Sequence, residues 1–217
     1  MNNLTTQLST FQAEFKGCVA PERLSMMENA TAQLRLSGVE QAAMALGAAL
    51  PEVGLQDATG QSVSLTALHS GKRTVVVFYR GGWCPYCNLT LREWQRLLPE
   101  MAAANTQLVA ISPQLPDASL STAEKNALAY PVLSDSSLAA AQAFGIAFTL
   151  PPELEELYAK VGNDLPTLNG NGQWVLPVPA TFGFDETGTL IYRHVEADYR
   201  QRAEPVEVLR LINARIQ

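Results

Sequence analysis

The sequence predicts an α/β fold, a central mixed sheet flanked by helices, and three stretches carry that expectation. Residues 74–79 (TVVVFY) form a continuous β-branched and aromatic run, the mark of a strand buried on both faces. Residues 85 to about 104 follow with helical patterning, and 107–111 (QLVAI) read as a second core strand. Strands that alternate with helices build a sheet covered by helices on its faces.

The remaining elements follow in chain order. Leu4, Leu8, Phe11 and Phe15 recur at helical spacing, Gly17 ends that stripe, and Pro21 can open the next helix. A second helix is expected over 22–36, with Leu24, Met27, Ala30 and Leu34 inward and Gly38 as its stop. A short third helix is expected to hold Met44 and Ala48. Residues 1–50 thus read as a helical N-terminal extension, either a cap on the main domain or the surface of a homodimer. Residues 51–217 form the main domain. Asp57, Ala58, Thr59 and Gly60 signal a turn, and Val63 and Leu65 alternate after it, so a hairpin is expected. Pro99 should kink or interrupt the helix that starts at Pro85. Helices over 118–128 and 137–144 flank a short extended piece at 131–133. Residues 150–176 are an insertion too long for a tight connection, with one helix over 152–161. Strands over 181–184 and 190–195 flank a turn at 185–188, and a terminal helix covers 204–216 with Val208, Leu211 and Ile212 inward.

Bulk properties narrow the function. A chain of 217 residues, 47% hydrophobic, can bury a real core. A net charge of −6 with no basic run gives no footprint for nucleic acid and no membrane anchor. The most apolar stretch, 42–50, is far shorter than the roughly 20 residues that cross a bilayer. The first residues lack the basic and apolar regions of a secretory signal, so a cytoplasmic protein is expected. Three cysteines are too few for a disulfide scaffold, and in a reducing compartment a C-x-x-C pair points to catalysis or metal.

That pair is Cys84 and Cys87. Cys84 falls at the N-cap of the expected helix, Pro85 at its first position, and Cys87 at its third. Free backbone N–H groups and the positive end of the helix dipole favour thiolate there. A cysteine so placed can drop from about 8.5 to roughly 3.5–7.5 in pKa. The spacing brings the sulfurs within bonding reach, so one can attack an oxidised substrate and the other resolve the product as a disulfide. Zinc would need two more ligands; Cys18, His69 and His194 do not stand at ligand spacing, and Asn88 occupies the place a haem-attachment histidine would need. No metal and no cofactor is therefore expected. Pro179 stands just ahead of an expected strand, which suits a cis peptide bond that would free the N–H and carbonyl of Val178 for an extended substrate; an ordinary loop proline is the alternative.

The stretches DATG, FYRGGWCPYC, AISPQ, PVLSD, VPATFGFDETG and ADYRQRAEP run from about Leu55 to the C-terminus. Together they resemble the peroxiredoxin-like (AhpC/TSA) branch of the thioredoxin superfamily. The resemblance implies a thioredoxin-like fold, antioxidant or thiol–disulfide activity on hydroperoxides or disulfides, and thioredoxin, glutaredoxin or glutathione as reductant. It also implies departures. Against the P-x-x-x-T-x-x-C pattern of typical peroxiredoxins, Cys87 takes the peroxidatic place, Cys84 replaces the threonine, and Arg80 replaces the proline. Pro179 stands where those proteins place an arginine, and with Cys84 it matches the cis-proline and nucleophile of thioredoxins. Both orders stay open: Cys84 attacking with Cys87 resolving, which N-cap exposure favours, or the reverse. Arg80 is either a positive charge near the thiolates or a solvated loop residue, while Trp83 and Tyr86 are expected to flank the sulfurs. Arg193 and Arg200 are weaker candidates for a substrate-facing charge, with surface solvation the expected role of each. Cys18 is expected to be a packing residue, otherwise a second resolving thiol or a link between subunits. The alternative function is a redox-responsive interaction protein with the C-x-x-C pair as its switch.

Overall fold

The computed structural model of the chain describes residues 3–214. Helices α1 (Leu4–Cys18), α2 (Pro21–Leu36) and α3 (Val39–Ala42) precede strands β1 (Gly54–Gln56) and β2 (Ser62–Ser64), helix α4 (Leu65–His69) and strand β3 (Arg73–Phe78). Helices α5 (Pro85–Arg96) and α6 (Leu98–Ala103) lead into β4 (Thr106–Ser112), α7 (Pro116–Lys125), β5 (Val132–Ser134) and α8 (Ala139–Ala143). A side arm follows, made of β6 (Ala147–Thr149), α9 (Pro152–Lys160), α10 (Leu165–Leu168) and β7 (Val175–Pro177). Strands β8 (Ala180–Phe184) and β9 (Leu190–Val195) and helix α11 (Pro205–Ala214) complete the described chain.

Seven strands form one mixed sheet in the order β2-β1-β5-β4-β3-β8-β9. β3 is central, parallel to β4 with Val76 opposite Val109, and antiparallel to β8 with Val76 opposite Phe182. Its unbroken apolar run follows from alternation, since successive side chains point to opposite faces and both faces are covered. Val75 and Val77 join a core with Leu4, Leu8, Leu91, Trp94 and Ile212. Val76 and Phe78 join the other core with Val39, Phe144, Phe182 and Phe184. The N-terminal helices thus contribute to both cores. Trp94 is wholly buried on α5, and truncating it to alanine should cost about 3–5 kcal/mol.

Several expectations need correction. The third helix covers Val39–Ala42 and not Met44 or Ala48. Residues 46 and 47 form a turn instead, with Gly47 at φ +85°, and Ala49 bridges Thr189, while Gly47 N–H donates to the Leu190 carbonyl and Leu190 N–H to the Ala48 carbonyl. Leu65 does not extend the hairpin strand, because the Ser64 side chain accepts from Ala67 N–H and caps α4. The break near Pro99 falls at Leu97, and Pro99 occupies the first turn of α6, where its missing N–H costs nothing. The insertion holds a second helix, α10, and its last strand β7 pairs with β6. Leu24, Met27, Ala30 and Leu34 of α2 are only partly buried, since part of that face lines a cavity rather than packing solidly. Residues 215 and 216 of the expected terminal helix lie outside the described residues. Among the described residues no helix is long and apolar enough to cross a membrane.

Candidate active site

The site begins where β3 ends. Gly81 has φ +148°, and a Cβ there would stand 2.4 Å from the Trp83 ring nitrogen, so only glycine fits the turn. Gly82 N–H donates to Gln114 Oε1 at 2.6 Å, and the Gly82 carbonyl accepts from Asn88 Nδ2 at 2.8 Å. Asn126 Nδ2 donates in turn to Asn88 Oδ1 at 3.1 Å. These amides pin the loop to α5 and α7; no motif on its own singles them out.

Cys84 is the N-cap of α5 and Pro85 its first residue, which puts Cys87 at the third helical position. The two thiols are free and hydrogen-bonded to each other. Neither is exposed as the N-cap position of Cys84 suggested: Cys84 is 2% and Cys87 0% accessible. Phe11 of α1 lies over Tyr86, ring centroids 5.0 Å apart and nearly perpendicular, and Tyr199 meets the same ring at 5.7 Å. A cavity of about 220 Å³ reaches Cys84, lined in part by Phe11, Trp83, Pro85, Tyr86 and Arg80. Cys87 is not among its lining residues.

The surroundings set the sulfurs apart electrostatically. Burial opposes charge on Cys87, but the Cys84 thiol hydrogen bond, the Arg202 and Arg80 guanidiniums and the Arg80 backbone N–H outweigh it. The Cys87 thiol is therefore more acidic than an ordinary cysteine. Cys84 is pushed well above the ordinary value by burial, by its hydrogen bond to Cys87 and by the charge there, with Arg80 and Arg202 too weak to reverse this. Arg202, in the irregular segment after β9, donates from Nη2 to Cys87 Sγ at 3.6 Å. No motif singled it out.

Arg80 is not solvated. It is 4% exposed, hydrogen-bonded to the Tyr158 hydroxyl, and ringed by Tyr199, Trp83 and Tyr158 at 4.3, 4.8 and 5.5 Å. Trp83 and Tyr86 line the same cavity as Cys84. Pro179 is trans, because no cis peptide bond occurs among the described residues. Val178 offers no free edge: it is 0% exposed and its N–H donates to the Ile146 carbonyl at 2.8 Å, continuing the pairing of β6 with β7. Pro179 borders a second cavity rather than the one that reaches Cys84. Arg193 and Arg200 are structural and not solvated. Arg193 Nη1 donates to the Ala43 and Met44 carbonyls at 2.7 and 3.0 Å, while Arg200 pairs with Asp198 at 2.7 Å. Cys18 is exposed and therefore not a packing residue.

With this geometry in place, comparisons with known proteins can be read. The AhpC/TSA family model matches residues 46–193. Two Mycobacterium tuberculosis proteins provisionally named as peroxiredoxins, from strains CDC 1551 and H37Rv, are 32% identical over 95 residues. The match covers 44% of this chain, and the chain spans about 60% of the length of those relatives. Among solved structures, peroxidoxin BcpB of Mycobacterium tuberculosis superposes with a TM-score of 0.63 at 22% identity, covering 80% of this chain and 99% of that one. A cysteine-to-serine mutant of Xylella fastidiosa PrxQ also gives a TM-score of 0.63, at 17% identity, covering 80% and 98%. The structural matches establish a thioredoxin-like fold of the peroxiredoxin kind, and the family match, over more than half the chain, shows that it belongs to the AhpC/TSA family.

Proposed function

We propose that the chain is a thiol peroxidase in which Cys87 attacks a hydroperoxide and Cys84 resolves the product. The observation that carries this order is the contact of Arg202 Nη2 with Cys87 Sγ at 3.6 Å, on a sulfur whose thiol is acidified while that of Cys84 is not. The Cys87 thiolate attacks the distal peroxide oxygen, the O–O bond breaks, and the alkoxide or hydroxide leaves and takes up a proton. Sulfur is oxidised to sulfenic acid. The Cys84 thiol then attacks that sulfur, water leaves, and a disulfide forms. Two electrons from thioredoxin, glutaredoxin or glutathione reopen it by thiol–disulfide exchange. Cys84, held protonated at rest, donates to the thiolate and does not compete with it. Arg202 and Arg80 stabilise negative charge where it sits before attack.

One observation favours the opposite order: the 220 Å³ cavity reaches Cys84 and not Cys87. The two orders separate cleanly. Reduced protein mixed with hydrogen peroxide in a stopped-flow instrument should keep its first oxidation step in Cys84→Ser, ending as a sulfenic acid trapped by dimedone. The same step should be lost in Cys87→Ser. The reverse pattern overturns the assignment, and undiminished turnover in the double variant overturns the function.

A further inference from the structure

Arg80 is a buried cation with no carboxylate partner among the described residues. Among the described residues its guanidinium has one hydrogen-bond partner, the Tyr158 phenol, and its Nε has none. Burial holds the Tyr158 and Tyr199 phenols above their ordinary pKa, so neither supplies an anion. Three aromatic rings soften the charge without cancelling it. The Cys87 sulfur is already in contact with Arg202. Two guanidiniums thus share at most one thiolate, and a buried charge lacking a counter-charge is costly.

On one side Arg80 walls a cavity of about 350 Å³ between α2 and the β6–α9 arm. Ala30 and Leu34 of α2 face Phe148, Leu154 and Leu176 across it. No aspartate or glutamate lines it, and neither sulfur does. An apolar chamber of this size with one placed charge is the usual form of a small-molecule site.

We infer that this cavity binds an apolar monocarboxylate of the fatty-acid class, with its hydrocarbon chain against α2 and its carboxylate on Arg80. A single negative charge matches the single surplus positive one, and the planar carboxylate fits the guanidinium fork. An alcohol of equal length fills the same walls but leaves the charge unmatched. The site rests on the cavity and on Arg80, and is independent of which sulfur attacks.

Isothermal titration calorimetry of the full chain with sodium decanoate and with 1-decanol tests it. One decanoate should bind per chain, about tenfold or more tighter than 1-decanol. Arg80→Gln should erase the preference, Ala30→Trp should remove binding of both probes, and the Cys84→Ser/Cys87→Ser double variant should bind decanoate at least as tightly as the unaltered chain. No saturable decanoate binding, equal binding of the two probes, or a preference that survives in Arg80→Gln overturns the proposal. If Arg80→Gln loses its circular dichroism, Ala30→Trp decides alone, and undiminished decanoate binding in that variant overturns the cavity as the site.

Discussion

Cys84 and Cys87 stand within the first turn of one helix, yet what faces each sulfur differs. Around Cys84 lie rings and a cavity, from Trp83, Tyr86 and Phe11. Cys87, deeper in, meets a guanidinium delivered by a loop 115 positions further along the chain. The N-cap, nearest the helix dipole, carries the less acidic thiol. The hydrogen bond from Cys84, followed by the guanidiniums of Arg202 and Arg80, outweighs helix position here, because a dipole contribution of a few tenths to about 1 kcal/mol is smaller than these effects together.

The largest test of that contrast is removal of each sulfur. Cys87→Ser should lower peroxide turnover by about a thousandfold or more, while Cys84→Ser should allow one oxidation per chain and then stall. Peroxide consumption and mass spectrometry of the trapped product check both. Next, Arg202→Met should slow the first oxidation by about ten- to a hundredfold and move the thiolate absorbance titration at 240 nm to higher pH. Retention of an acidic thiol in Arg202→Met would break the contrast drawn here.

An effect of comparable size should follow the hydrogen bond between the sulfurs. Cys87 has its thiol pKa depressed in the folded state, so the first oxidation rate should be level at neutral pH and fall as pH drops through that pKa. Cys84→Ala removes the donor and should shift the falling limb upward by about one pH unit. The same linkage predicts that the thiolate stabilises the fold fully above the unfolded thiol pKa of about 8.5 and that this is lost as pH falls through the folded value. Chemical denaturation at several pH values, with Cys87→Ser as reference, measures it. The smallest effect is expected at Glu204, whose carboxylate accepts from the backbone N–H of Leu4 at 3.2 Å and of Thr5 at 3.1 Å. Glu204→Gln should cost about 0.5–1 kcal/mol in stability and change the first oxidation rate only a few-fold.

How much of this was legible in the sequence depends on range. The β3 run, the helix start at Pro85 and the C-x-x-C pair are local patterns with local causes, and they stand where the residues indicated. Arg202 lies within a family-like stretch, yet nothing in a string of residues tells which distant arginine folds onto a sulfur. Pro179 misled for a related reason: a proline before a strand suits a cis bond, but the strand pairing that engages Val178 comes from β6, only three residues long and too short for a periodic signal. Cys18 misled because burial of a lone cysteine is a statistical habit, and α1 turns that position outward. The surroundings of Arg80, a cage drawn from three separate segments, have no sequence signature at all.

The anchoring of α1 has one more effect. Its first turn is tied to Glu204, two residues from Arg202, while Phe11 covers the ring beside Cys84. Cover and activating charge therefore hang from the same stretch of backbone. A change that loosens this stretch should therefore disturb the covering ring and the guanidinium at Cys87 together.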